Sequence, residues 1–130
     1  MQYTIRMTIT GGKEEYGILD CSYSFYRNTD STGKPTQFAR AGSIQISKYS
    51  TDDSTFFEWA ASKSESKDGT ITFYDAADKS MRKLDFKGGV VTSYEETASS
   101  EGGMNMMERI SIYAKTVSSS GATVNNEESK

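Results

Sequence analysis

The sequence predicts a mainly β protein, an antiparallel β-barrel or sandwich carrying one short α-helix. Three observations lead there. Apolar and polar residues alternate with a period of two along most of the 130 residues, as strands with one buried face require. Short glycine-bearing or polar turns separate the alternating runs. Helical spacing occurs only once, and such a helix would cover an open flank or end of the sheet.

The first run places Tyr3, Ile5, Met7 and Ile9 on one face, and Gly11-Gly12-Lys13 turns it. The second covers residues 16–27, with Gly17, Leu19, Cys21, Tyr23 and Phe25 in phase. Residues 28–36 hold the only proline and almost no apolar side chain. They exceed the about two to five residues of an ordinary hairpin and read as a protruding loop. Alternation returns over 38–49, with Phe38, Ile44 and Ile46 in phase and Arg40 and Lys48 near the ends.

Residues 50–55 then supply N-cap candidates and, in Asp52-Asp53, negative charge for a helix start. Phe56, Trp59, Ala60 and Lys63 recur at i, i+3, i+4 and i+7, the apolar stripe of a short helix. Four further runs follow over 70–75, 80–87, 90–97 and 104–116, with Gly88-Gly89 between the second and third. The last aligns Met104, Met106, Glu108, Ile110, Ile112 and Ala114. Beyond it the chain turns polar. The expected organisation is a barrel domain over 1–116 and a polar, mobile tail over 117–130.

A chain of this mass leaves about 7,000 Å² exposed when folded, against about 21,000 Å² unfolded, which supports one core without staples. Fifteen basic and eighteen acidic residues give a net charge of −3, the wrong sign for binding nucleic acid through bulk charge. No run of about 18 apolar residues exists to span a bilayer. The N-terminus alternates where a secretory signal would be continuously apolar. A cytoplasmic chain, or one exported by a route that reads no N-terminal signal, is therefore expected.

Composition also weighs against catalysis. Histidine is absent, which removes the commonest general base, Ser-His-Asp and Cys-His arrangements and most zinc and haem ligation. Cys21 is the single cysteine. It has no partner for a disulfide and no base to activate it, so it reads as a buried structural thiol. Asp52-Asp53 reads as a helix cap, and Glu95-Glu96 point to opposite faces of a strand. Asp30-Ser31-Thr32-Gly33-Lys34 lacks the spacing of a phosphate loop. Met104, Met106 and Met107 read as core or interface packing before a soft metal site. No catalytic, cofactor-binding or metal site is expected. Eight Tyr, six Phe and one Trp suit either strands or subunit interfaces.

Seven segments taken in order carry a family resemblance. They are Leu19-Asp20-Cys21-Ser22-Tyr23-Ser24-Phe25, Thr29-Asp30-Ser31-Thr32-Gly33-Lys34-Pro35, Arg40-Ala41-Gly42-Ser43-Ile44, Ser50-Thr51-Asp52-Asp53, Phe57-Glu58-Trp59, Lys67-Asp68-Gly69-Thr70-Ile71-Thr72-Phe73 and the run 81–86. The series resembles the tube protein of type VI secretion systems, Hcp or TssD, in the form found in Bacteroidetes. The resemblance covers residues 3–115. One departure is Ala41-Gly42, where the pattern has two glycines after the basic residue, and Ala tolerates positive φ poorly. The other is the tail, which matches no part of the pattern.

The resemblance implies structural work. Family members are β-barrels with one helix, related to phage tail-tube proteins, and form hexameric rings that stack into a hollow tube inside a contractile sheath. A VgrG-like spike caps the tube, effectors ride in its lumen, and contraction drives it from the cytoplasm out of the cell. Membrane insertion and nucleic acid play no part. It further implies a ring-stacking loop: Asn28, Thr29, Asp30, Ser31, Thr32, Gly33, Lys34, Pro35 and Thr36, with Phe38 and Arg40 at its return. Head-to-tail stacking is a heterologous contact, the kind that propagates into filaments. Two alternatives stand beside this reading. One is a tail-tube subunit of a related contractile injection particle; the more remote one is a secreted β-sandwich binding module.

Overall fold

Among the described residues the alternating pattern becomes nine strands and one helix: β1 (Ile5–Ile9), β2 (Tyr16–Ile18), β3 (Asp20–Tyr26), β4 (Arg40–Tyr49), α1 (Thr55–Ala61), β5 (Lys67–Tyr74), β6 (Ser80–Ser99), β7 (Asn105–Tyr113), β8 (Thr116–Ser119) and β9 (Ala122–Asn125). The computed structural model describes residues 4–12, 15–26, 40–62, 65–103, 105–119 and 122–125. Every pairing among them is antiparallel, so the predicted fold class holds: mostly antiparallel β with one helix.

The order is β2-β1-β5-β6-β7-β4-β3, with β8 on β6 and β9 on β8. Residues 80–87 and 90–97 were expected as two strands joined at Gly88-Gly89, but β6 runs unbroken for 20 residues. Laid straight it would measure about 66 Å, against a radius of gyration near 14 Å for a compact chain of this length. It must bend, and the glycines are the corner. Gly88 takes φ 65 and donates its N–H to Asp68 Oδ1 at 3.0 Å. The first half of β6 pairs with β5 and β8, the second with β7. One strand thus belongs to two packed sheets, a known way of making a corner.

A second corner lies at Leu19. The predicted single strand over 16–27 is two, β2 on β1 and β3 on β4, and its phase flips between them. Tyr16 and Ile18 are buried in the first half, whereas Cys21 and Tyr23 face the core from the second. Leu19 donates its N–H to the Ser47 carbonyl at 2.8 Å, which holds the bend. The hydrogen-bonded path is open between β2 and β3, and the backbone through Leu19 links its two ends.

The core fills the space between the sheets. Met7, Ile71, Leu84, Phe86 and Val117 from one side meet Ile44, Ile46, Ile110 and Ile112 from the other. Phe56 and Trp59 of α1 are each 1% exposed and close the end, with Phe56 edge-on to Tyr16 at 5.0 Å. The helix runs seven residues and ends at Ala61, where the polar run from Ser62 begins. Its first turn is capped by Asp53, whose Oδ1 accepts from the Thr55 N–H and hydroxyl, while Asp52 is exposed.

Two expectations meet differences. Val117 is 1% exposed in β8, which pairs with β6, and β9 pairs with β8, so part of the stretch expected as a polar tail is β-strand. Val117 and Val124 pair across β8 and β9, an apolar pair within an otherwise polar segment. Ala41 lies in β4 opposite Phe25, and Asp78 is the only positive-φ residue other than glycine among those described. Alanine is therefore unstrained there.

Gly69 of β5 provides a test of packing. A Cβ there would sit 2.6 Å from Phe86 Cζ and 2.8 Å from the Thr8 carbonyl oxygen. Gly69→Ala is expected to destabilise the fold by about 1–3 kcal/mol, the usual cost of overpacking, read as a lower urea midpoint at unchanged slope. An unchanged midpoint would mean that Phe86 moves aside freely.

Candidate assembly site

Residues 28–36 and Phe38 of the expected stacking loop lie outside the described residues. Arg40 is described only in its backbone, which pairs with Tyr26 where β3 and β4 end. The chain therefore leaves and re-enters the sheet at this one end of β3 and β4.

The second sheet, β6-β7-β4-β3, has two contrasting faces. Its outer face carries the cross-strand rows Asp20–Ser47–Arg109–Glu95 and Ser22–Gln45–Ser111–Ser93. They line a shallow hollow of about 390 Å³ bordered by hydroxyls, an amide and the charged Asp20, Glu95 and Arg109. Among the described residues, neither β3 nor residues 91–99 of β6 has a strand along its other edge. Two bare edges flank one polar face. Unpaired edges are templates for joining another chain.

The inner face changes character along its rows. Tyr23–Ile44–Ile112–Val91 and Cys21–Ile46–Ile110–Tyr94 are apolar or nearly so, and the next row is Lys48–Glu108–Glu96. Lys48 is 2% and Glu108 3% exposed, with Nζ and Oε2 3.6 Å apart. The ammonium also donates to the Tyr49 carbonyl at 3.0 Å and lies 5.5–5.6 Å from the Phe56 and Tyr16 ring centres. Glu96 Oε2 accepts from the Ser50 hydroxyl at 2.8 Å. Glu108 Oε1 and the Tyr94 hydroxyl are buried without a hydrogen bond. Sequence reasoning set Lys48 near a strand end. Its phase with Ile44 and Ile46, like that of Glu108 with Ile110 and Ile112, was the available signal.

Burial pushes Glu108 above the ordinary carboxylate value; Lys48 opposes this and Glu96 adds to it. Tyr94 is pushed up to about 12 by burial, then by Glu108 and Glu96. Cys21, half-buried, is pushed up to about 11 by burial and by Asp20. Each shift holds a proton on its group and works against a thiolate or phenolate nucleophile.

Large apolar side chains left on the surface include Phe57 at 54% and Met81 at 71%. Phe57 stands on α1, edge-on to Tyr94 at 5.9 Å. Met81 is the extra residue of a bulge, since Phe73 pairs with Arg82 and Tyr74 with Ser80. Bulges re-aim side chains in this way.

The buried pair has a signed pH dependence. Glu108 binds its proton more tightly folded than unfolded, so its contribution is fully present below pH 4.5, the ordinary glutamate value. It is lost as pH rises through the elevated folded value. Lys48→Met leaves a buried carboxylate alone and is expected to cost about 3 kcal/mol at pH 7. The cost is smaller at pH 5 than at pH 7, because burial favours the protonated carboxyl of Glu108. Urea denaturation at both pH values checks this; equal costs would mean that Glu108 does not titrate in the fold.

Comparison with known proteins places this geometry. A family model described as hemolysin coregulated protein Hcp (TssD) matches residues 1–127. No curated protein matches the sequence. The structure is similar to Hcp1 from Flavobacterium johnsoniae, with a TM-score of 0.82 and 27% identity over 95% of this chain and 100% of that one. It is similar to Hcp1 from Salmonella typhimurium at TM-score 0.72 and 18% identity, covering 95% and 92%. It also resembles a chain of the PVC sheath-tube complex, an extracellular contractile injection system, at TM-score 0.56 and 20% identity, covering 92% and 90%. The last two carry the fold alone. With a family model spanning nearly its whole length over an open, bare-edged β fold with one helix, the chain belongs to the Hcp (TssD) family of tube proteins.

Proposed function

We propose that this chain is the structural subunit of a type VI secretion inner tube, assembled as hexameric rings that stack head to tail. Beyond family membership, one observation carries the reading: a four-stranded sheet whose two edges are bare among the described residues and whose outer face is polar. Joining copies edge to edge satisfies both sets of backbone groups and closes a continuous β wall. The face of Ser22, Gln45, Ser47, Ser93 and Ser111 then lines the channel. Short hydroxyl and amide side chains, with the charges of Asp20, Glu95 and Arg109 confined to one row, let cargo pass without strong binding. The role needs no catalytic group, and the raised Cys21 and Tyr94 values accord with that.

Residues 28–36, with Phe38 and Arg40, reach the neighbouring ring, where Asp30, Lys34 and Arg40 make complementary polar contacts across the seam. Many modest contacts repeated around a ring hold a stack by multivalency and still release it. A sheath surrounds the tube, a VgrG-like spike caps it and effector proteins travel inside. The chain is cytoplasmic until contraction ejects it. No helix among the described residues is long and apolar enough to cross a membrane. A tail-tube role in a related injection particle has less support, since the TM-score there is 0.56 against 0.82 for the Flavobacterium Hcp1.

Negative-stain microscopy of the purified protein is expected to show rings with a central hole; a particle of one subunit's mass at every concentration would overturn the reading. Asp30→Lys and Lys34→Glu are each expected to preserve folding and rings while reducing stacked tubes. Unchanged tubes in both variants would remove the loop from the seam.

A further inference from the structure

The described surface carries an apolar knob and an apolar groove whose rims are of opposite charge. The knob is Phe57 on α1. The segment around it, residues 50–62, contains Asp52, Asp53 and Glu58 and no basic residue. Asp53 is occupied by Tyr16 and Thr55; Asp52 is exposed, and so is Glu58, next to Phe57 in the chain, whose carboxylate accepts from the Ser54 hydroxyl.

The groove lies on the other side of the core, beyond the Tyr23–Ile44–Ile112 row and away from the Lys48–Glu108 row that the helix covers. It has a volume of about 460 Å³ and is lined by Ile5, Tyr23, Phe73, Met81 and Arg82 among others. The Tyr23 and Phe73 rings form its floor, 6.4 Å apart. The bulge aims Met81 over its lip. On the adjoining turn, Asp75 is engaged by the N–H groups of Ala77 and Lys79, and Asp78 is paired with Arg6 at 2.8 Å. Arg82 lines the groove and Lys79 stands on the adjoining turn; both are exposed, and among the described residues neither has a carboxylate bonded to it, so the rim is net positive.

A knob and a complementary groove at opposite ends of one chain make a heterologous contact, which repeats without closing. A two-fold contact would bring like charges together. We infer that Phe57 of one copy, with Glu58 beside it, docks into the Met81 groove of a second copy in the adjacent ring. This rests on the ring-stacking reading above and adds to it a seam element separate from residues 28–40. The apolar ring supplies burial at the centre of the contact, and the charged rims set its direction and exclude the reversed stack.

The test uses full-length rings of two variants, Phe57→Cys and Met81→Cys, prepared separately and then mixed under mild oxidation. A disulfide-linked dimer is expected in the mixture and in neither preparation alone, with wild-type rings as the control for Cys21. Met81→Glu is expected to weaken stacking about tenfold, as loss of one central contact does, with rings and thermal stability unchanged. Adding Glu58→Lys should recover part of that loss. Wild-type rings that stack while the mixture yields no linked dimer would overturn the docking alone. A dimer in Phe57→Cys alone would do the same, by showing a two-fold contact. A wild-type chain that never stacks would overturn both this inference and the functional reading beneath it.

Discussion

The Phe86 ring occupies space left by two glycines, and the two-sheet architecture depends on that contact. Gly69 on the neighbouring strand and Gly89 just past the corner both lack the Cβ that would collide with it, at 2.6 and 2.9 Å respectively. Phe86 is 1% exposed and sits where β6 leaves the first sheet for the second. The aromatic ring fills the corner that the glycines open, a recurrent device where sheets curve sharply. Because one strand serves both sheets, the isoleucines of the second are held over the aliphatics of the first.

The helix answers a different constraint. The inner face of the second sheet ends in Lys48, Glu108 and Glu96, and an aliphatic sheet laid over that row would strand the charges. Instead the Tyr16 and Phe56 rings lie near the ammonium, and Ser50 donates to Glu96. Desolvating an ion pair is expensive; aromatic faces and nearby hydroxyls offset part of that cost. Trp59 then anchors the end of the helix by donating to the Glu65 carbonyl at 3.2 Å.

Both features bear on assembly. Among the described residues, the corner in β6 leaves residues 91–99 with a bare edge, and the corner at Leu19 does the same for β3. The bends that give this fold its core therefore also create its unsatisfied edges. The proposed tube role uses that combination: a packed body and two edges open to neighbouring copies. The family's shared fold across chains of low sequence identity accords with a constraint on backbone geometry more than on individual side chains.

Most of the strands, most of their buried faces and the single helix were determined by the sequence by itself, because period-two and period-3.6 patterns are local and follow directly from side-chain geometry. The inward sets Met7/Ile9, Ile44/Ile46 and Glu108/Ile110/Ile112/Ala114 were legible at once. Ordered segments matching the Hcp pattern made the family legible too. Only the tertiary structure decided that Gly88-Gly89 is a corner inside one strand and that Leu19 is a corner inside another. It likewise decided that Val117 belongs to the core and that Lys48 pairs with Glu108. Each of these depends on which strands meet in space, and a bend, a register or a cross-strand partner leaves no periodic trace in the chain that carries it.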